Sequence, residues 1–117
     1  MRKLWIIAFL PLMACATEEA PVDQSAVNAA QQAWFACLKT KAVSEDDGRS
    51  DAGTVAMAVK GLCEPQYRQM WALTGLAARA DRVRSYDPMT VALEEQKQEQ
   101  FQLQLATDAV LLARRRK

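Results

Sequence analysis

Apolar residues recur at helical spacing through most of the chain. Along residues 23–46, Val27, Ala30, Trp34, Cys37 and Leu38 fall at such intervals. That repeat gathers side chains on one side of an α-helix. Asp23 and Ser25 are both competent caps for its start, and Asp46-Asp47-Gly48 ends it, with Gly48 suited to a left-handed turn. A second helix over 51–63 follows from Ser50 as cap and from Ala52, Val55, Ala56, Val59, Leu62 and Cys63 as its inner face. A third, over 65–84, rests on Tyr67, Met70, Trp71, Thr74, Ala77 and Ala78, widened by Leu73, Leu76 and Ala80. Gly75 in its middle should weaken it by about 1 kcal/mol relative to alanine. Asp87-Pro88 pairs a cap with a first-turn proline and opens a fourth helix over 88–115. Val91, Phe101, Leu105, Ala109 and Leu112 form its apolar face, while 94–100 is polar on every side and must be solvated. Gln100 to Leu105 alternates polar and apolar, which is the strand signal. The flanking Glu, Gln, Lys and Ala are strong helix formers and predict helix instead.

The pattern predicts an all-α fold: a small bundle of about four helices, with short connections that make neighbours antiparallel. The fourth helix should overhang the others. Phe101, Leu103, Leu105, Val110, Leu111 and Leu112 cover more than one side of it, which predicts contact with the third helix and self-association or contact with a partner protein.

The first residues break this pattern. Met1-Arg2-Lys3 is basic, and Leu4 to Met13 is apolar except for Pro11. About ten apolar residues are too few to span a bilayer as a helix, which takes about 20. They suit the apolar region of a secretion signal. The expected organisation is a signal peptide over 1–14, a short tether over 15–22 and one helical domain over 23–117. Of the 15 Lys and Arg, Arg2 and Lys3 stand in the leader. The 13 that remain face 14 Asp and Glu, a balance of −1. That argues against a nucleic-acid partner, which calls for a basic surplus. The chain has no His, so the commonest general base and zinc ligand are missing.

Leu12-Met13-Ala14-Cys15 resembles the lipobox of bacterial lipoproteins. The resemblance covers about the first fifth of the chain and implies a location, not an activity. It implies that the Cys15 thiol carries a diacylglyceryl group and that the leader is cut before it. Two or more acyl chains anchor stably where one is marginal. Ala16 after the cysteine would permit passage to the outer membrane, facing the periplasm. A competing site is Ala14-Cys15-Ala16, an A-x-A pattern for ordinary signal peptidase, which would release a soluble periplasmic chain from Thr17. Three cysteines leave one odd thiol in an exported protein. Lipidation of Cys15 resolves the count, leaving Cys37 and Cys63 to pair in an oxidising compartment. A redox-active pair would need a C-x-x-C or a helix N-terminal thiolate, whereas both cysteines fall late in their helices. A bridge between adjacent antiparallel helices requires the first to continue to about Asp46. Cys37, Asp46-Asp47-Gly48, Ser50-Asp51-Ala52, Val55-Ala56, Ala58-Val59 and Cys63 together resemble small exported helical proteins of proteobacteria. That likeness covers about a quarter of the chain and implies a disulfide-closed helical hairpin.

Other chemistry is sparse. Asp46, Asp47 and Asp51 do not match a calcium loop, which needs alternate carboxylates and a Glu at the twelfth place. No metal or cofactor is expected. Glu94, Glu95 and Glu99 read as a solvated face. Trp34, Phe35, Tyr67, Trp71 and Tyr86 read as core and rim, and adjacent Trp34 and Phe35 cannot point the same way. Arg114, Arg115, Arg116 and Lys117 complement a helix C-terminus, or touch anionic lipid or lipopolysaccharide phosphates. No nucleophile elbow, phosphate loop or zinc helix motif is present. The expectation is a non-enzymatic, lipid-anchored envelope protein that binds or scaffolds another component. A periplasmic inhibitor or ligand-binding helical domain is the alternative.

Overall fold

The computed structural model describes residues 21–75 and 87–117. Among them every regular element is a helix: α1 (Gln24–Glu45), α2 (Ala52–Leu62), α3 (Glu64–Leu73) and α4 (Pro88–Arg115). Residues 100–105 are helical, so the polar–apolar alternation there is incidental. Asp23 caps α1, its side chain accepting from the backbone N–H groups of Ser25 and Ala26. Asp87 caps α4 through Thr90 N–H, with Pro88 in the first turn. The cap of α2 is Asp51 and not Ser50: the Asp51 carboxylate accepts from Thr54 N–H. Ser50 is held instead by Asp47, whose carboxylate accepts from both its N–H and its hydroxyl, each at 2.7 Å.

α3 is shorter than its apolar stripe suggests. It stops at Leu73, where the Thr74 hydroxyl donates to Trp71 O and Gly75 takes a φ of +70°. Gly75 therefore terminates the helix where the stripe had put it mid-helix, because only glycine enters that backbone region freely. Leu76, Ala77, Ala78, Ala80 and Tyr86 lie outside the described residues.

No loop separates α2 from α3. Cys63 ends one and begins the other, with its N–H donating to Val59 O and its carbonyl accepting from Tyr67 N–H. Helix–helix connections that reverse direction take about two to eight residues. α3 therefore runs onward from α2 as the second half of one leg. This overturns simple up-and-down alternation. Trp34 of α1 meets Phe101 of α4 at 6.4 Å between ring centroids, and Asp46 beyond α1 meets Arg114 of α4 at 2.9 Å. Two contacts in the same order along both helices make α1 and α4 parallel. The α2–α3 leg runs against them: Lys60 reaches Glu99, and Cys63 and Tyr67 meet Cys37 and Trp34 in reverse order.

The core comprises Trp34, Leu38 and Ala42 from α1, Val55, Ala56 and Val59 from α2, Cys63, Tyr67 of α3, and Ala106, Val110 and Ala113 from α4. On α4 the buried side is one position away from the expected face. Gln102, Ala106, Val110 and Ala113 are buried, whereas Phe101 and Leu112 are about half exposed, as is Leu111. Small residues at 106, 109 and 113 let α4 approach α2 and α1 closely, which the larger Phe101 and Leu112 would prevent. Leu62 is likewise exposed and not part of the α2 inner face. α4 packs along α1 and α2. It meets α3 only at side chains, where the Tyr67 hydroxyl donates to Gln98 Oε1, so among the described residues the expected packing on the third helix is replaced by packing on the first two.

Candidate functional site

Cys37 and Cys63 form a disulfide with Cα atoms 5.8 Å apart. α1 does continue to Glu45, which gives the length the bridge requires. Cys63 is fully buried and Cys37 partly so. The bond therefore joins α1 to the bend between α2 and α3, under the aromatic layer. In that layer Trp34 lies 5.2 Å from Phe35 and 5.0 Å from Tyr67, and Tyr67 stacks on Trp71. Neither Trp34 nor Phe35 faces bulk solvent outright: Trp34 is buried, and Phe35 packs against the edge of the core.

One polar cluster enters this layer. Gln102 is buried beside the Tyr67 hydroxyl, which donates to Gln98. Burial, together with the charge of Glu64, pushes the Tyr67 phenol up from its ordinary value, so it stays neutral and available as a donor. The sequence signal is faint: Gln98 and Gln102 stand four apart, in helical register with Val91, and Gln98 is half-buried within 94–100, the stretch expected to be solvated on every side.

The second cluster lies at the opposite end. The Asp46 side chain is completely buried. Its Oδ1 accepts from Arg114 Nε at 3.1 Å and Nη2 at 2.9 Å, and also from Gly48 N–H at 3.1 Å. Lys117 Nζ donates to Asp46 Oδ2 at 3.3 Å and to its carbonyl at 3.2 Å. Arg114 also donates to Ser50 O at 2.6 Å. The hydrogen bonds from Arg114 hold the Asp46 carboxyl at about 2 against an ordinary 3.8, overcoming the opposing effect of burial. Asp47 is lowered as well, by its bonds to Ser50 and Arg49. The three aspartates thus divide their work: Asp46 ties the turn to the end of α4, Asp47 folds the turn, and Asp51 caps α2. Of the basic tail, Arg114 and Lys117 are committed to Asp46, while Arg115 and Arg116 are exposed.

Glu94 pairs with Lys97 at 2.7 Å, and Glu94, Glu95 and Glu99 are all exposed. Among the described residues no group of three or more His, Cys, Asp or Glu is arranged to hold a metal ion. No described helix is long and apolar enough to cross a membrane. Cys15 lies outside the described residues. Compared with known protein families, with curated proteins and with solved structures, the chain matches none.

Proposed function

We propose that this is a small cell-envelope protein, held on the membrane through an acylated Cys15, that acts by binding or scaffolding another envelope component and not by catalysis. The observation that carries the reading is the Cys37–Cys63 disulfide. Stable structural disulfides belong to oxidising compartments, and this one takes up two of three cysteines. The remaining thiol is the one within the lipobox-like Leu12-Met13-Ala14-Cys15. The basic start and short apolar run before it support export. Ala16 supports the outer membrane, periplasmic side, as its address. The half-exposed Phe101, Leu111 and Leu112 on α4 support a protein-binding role, because large apolar side chains left in solvent are the raw material of interfaces.

Mass spectrometry of the processed N-terminus tests the proposal. A chain beginning at Cys15 and carrying acyl groups is expected. An unmodified chain beginning at Thr17 would replace the anchored protein with a soluble periplasmic one.

A further inference from the structure

Asp47-Gly48 is the one place in the chain where a glycine follows an aspartate or asparagine. That dipeptide is prone to a spontaneous rearrangement. The glycine amide nitrogen attacks Cγ of the aspartic acid and gives up its proton, and one carboxyl oxygen leaves as water, closing a five-membered succinimide. Water then adds at the Asp47 backbone carbonyl and breaks its bond to Gly48 N. The product is isoaspartate, in which the chain runs through Cγ and the total of atoms is unchanged. Glycine favours the attack because no side chain crowds its nitrogen.

Gly48 is open to this chemistry. It is exposed, and a Cβ added there would meet nothing within 4 Å. Yet both reacting groups are engaged elsewhere. The nucleophile, Gly48 N–H, donates to Asp46 Oδ1 at 3.1 Å. The electrophile, the Asp47 carboxylate, is tied forward past Gly48. Its Oδ1 accepts from Arg49 N–H at 2.8 Å and from Ser50 N–H at 2.7 Å, and its Oδ2 from the Ser50 hydroxyl at 2.7 Å. The same bonds hold it ionised, below the ordinary carboxyl range. An ionised carboxylate is a poor electrophile, since its oxygen departs as water only after protonation.

The hold reaches across the molecule. The Asp46 oxygen that accepts from Gly48 N–H also accepts from Arg114 Nε and Nη2. Arg114 fixes Ser50 as well, through its carbonyl at 2.6 Å. The Asp46 carboxylate stays sealed only while a cation answers it. Without Arg114 it would turn towards water and release Gly48 N–H.

We propose that Asp47-Gly48 is a latent isomerisation site held closed by the last turn of α4, so that loosening of the α4 end converts Asp47 into isoaspartate. The β-linked backbone moves the carboxylate and no longer fits the ties to Arg49 and Ser50. A molecule that has opened therefore carries a lasting mark at this turn. The inference does not depend on the anchored reading above.

The test uses the full chain with its disulfide formed, kept at neutral pH below its melting temperature, with isoaspartate at 47 followed by peptide mapping. The same chain in urea, disulfide intact, gives the open rate. The native chain should react at least about tenfold more slowly than the chain in urea. Ser50→Ala frees one Asp47 oxygen and Arg114→Gln frees Asp46. Each should react about tenfold faster than the native chain, the factor that one lost hydrogen bond to a charged group carries. Arg116→Gln, at an exposed position, should match the native rate. Circular dichroism verifies each fold. Should Arg114→Gln fail to fold, Lys117→Gln removes the other cation from Asp46 and takes its place. No isoaspartate at 47 in urea, or equal rates with and without urea, overturns the proposal. So does an unchanged rate in both Ser50→Ala and the Asp46-releasing variant. Acceleration by Ser50→Ala alone overturns the control by α4. Equal acceleration by Arg116→Gln overturns it too, by assigning the effect to general loosening of the helix end.

Discussion

Asp46 and Arg114 stand 68 positions apart in the chain and 2.9 Å apart in space, with the Asp46 carboxylate sealed from solvent. A buried carboxylate persists as an ion only where its charge and its lone pairs are answered. Here two cations and a backbone N–H answer them. The turn after α1 is thereby fixed to the last turn of α4.

The acid limb of stability should reflect that pair. The Asp46 carboxyl is held at about 2 in the fold, below its ordinary 3.8. A carboxyl lowered by folding stabilises fully above its unfolded value, and the contribution is lost as pH falls from about 4 towards 2. Asp47 and Asp87 shift in the same direction and share the effect. Asp46→Asn should lower the melting temperature at pH 7 and flatten its fall in acid. Circular dichroism melts across that range check this; an unchanged slope would show that the pair contributes nothing.

Reduction of Cys37–Cys63 opens a loop with a sequence separation of 26. Chain entropy sets the expected loss at about 3–4 kcal/mol. Urea titration of the Cys37→Ser, Cys63→Ser double variant should show it. Because Cys63 is fully buried, Cys63→Ser alone should cost more than Cys37→Ser alone, by placing a hydroxyl in the core.

Trp34 is 2% exposed and touches rings from α1, α3 and α4. Trp34→Ala should cost about 3–5 kcal/mol, the usual penalty for deleting a buried aromatic. Phe101→Ala should cost only about 1 kcal/mol, because its ring is half in solvent. Equal losses in denaturant titrations would contradict the assignment of the buried side of α4.

Gly48 has a φ of +69°, and an added Cβ would meet nothing within 4 Å. Any penalty for Gly48→Ala is therefore conformational, about 1–2 kcal/mol. Gly48→Asn should recover part of it, since asparagine tolerates the left-handed region. Thermal melts of the two variants provide the comparison.

Local rules made much of this legible from the residues. The caps Asp23 and Asp87, the turn at Gly48 and the disulfide were all signalled, because each depends on neighbours or on compartment. The errors came where a distant partner decides. Spacing on α4 pointed to Phe101 and Leu112, yet close approach to α2 and α1 selected the smaller Ala106, Val110 and Ala113. Ser50 is as good a cap as Asp51 in isolation, but Asp47 claims it. Nothing local to Asp46 or Arg114 announces their pairing. The direction of α3 turned on the absence of a loop at Cys63, where Pro65 was equally compatible with an end and a beginning.

The separations of the two cross-links also order the assembly of the fold. The Cys37–Cys63 bond spans 26 positions and can close once the first 63 residues have emerged. The Asp46 contacts with Arg114 and Lys117 span 68 and 71 positions, so they wait for the final turn. Loop-closure entropy rises only slowly with length, so the delay is one of timing and not of energy. A chain folded only as far as its α1–α2 hairpin would hold the Asp46 carboxylate at its tip with Gly48 N–H as a donor and no cation beside it. Arg114 and Lys117 then neutralise a charge that the first hairpin carries at its tip.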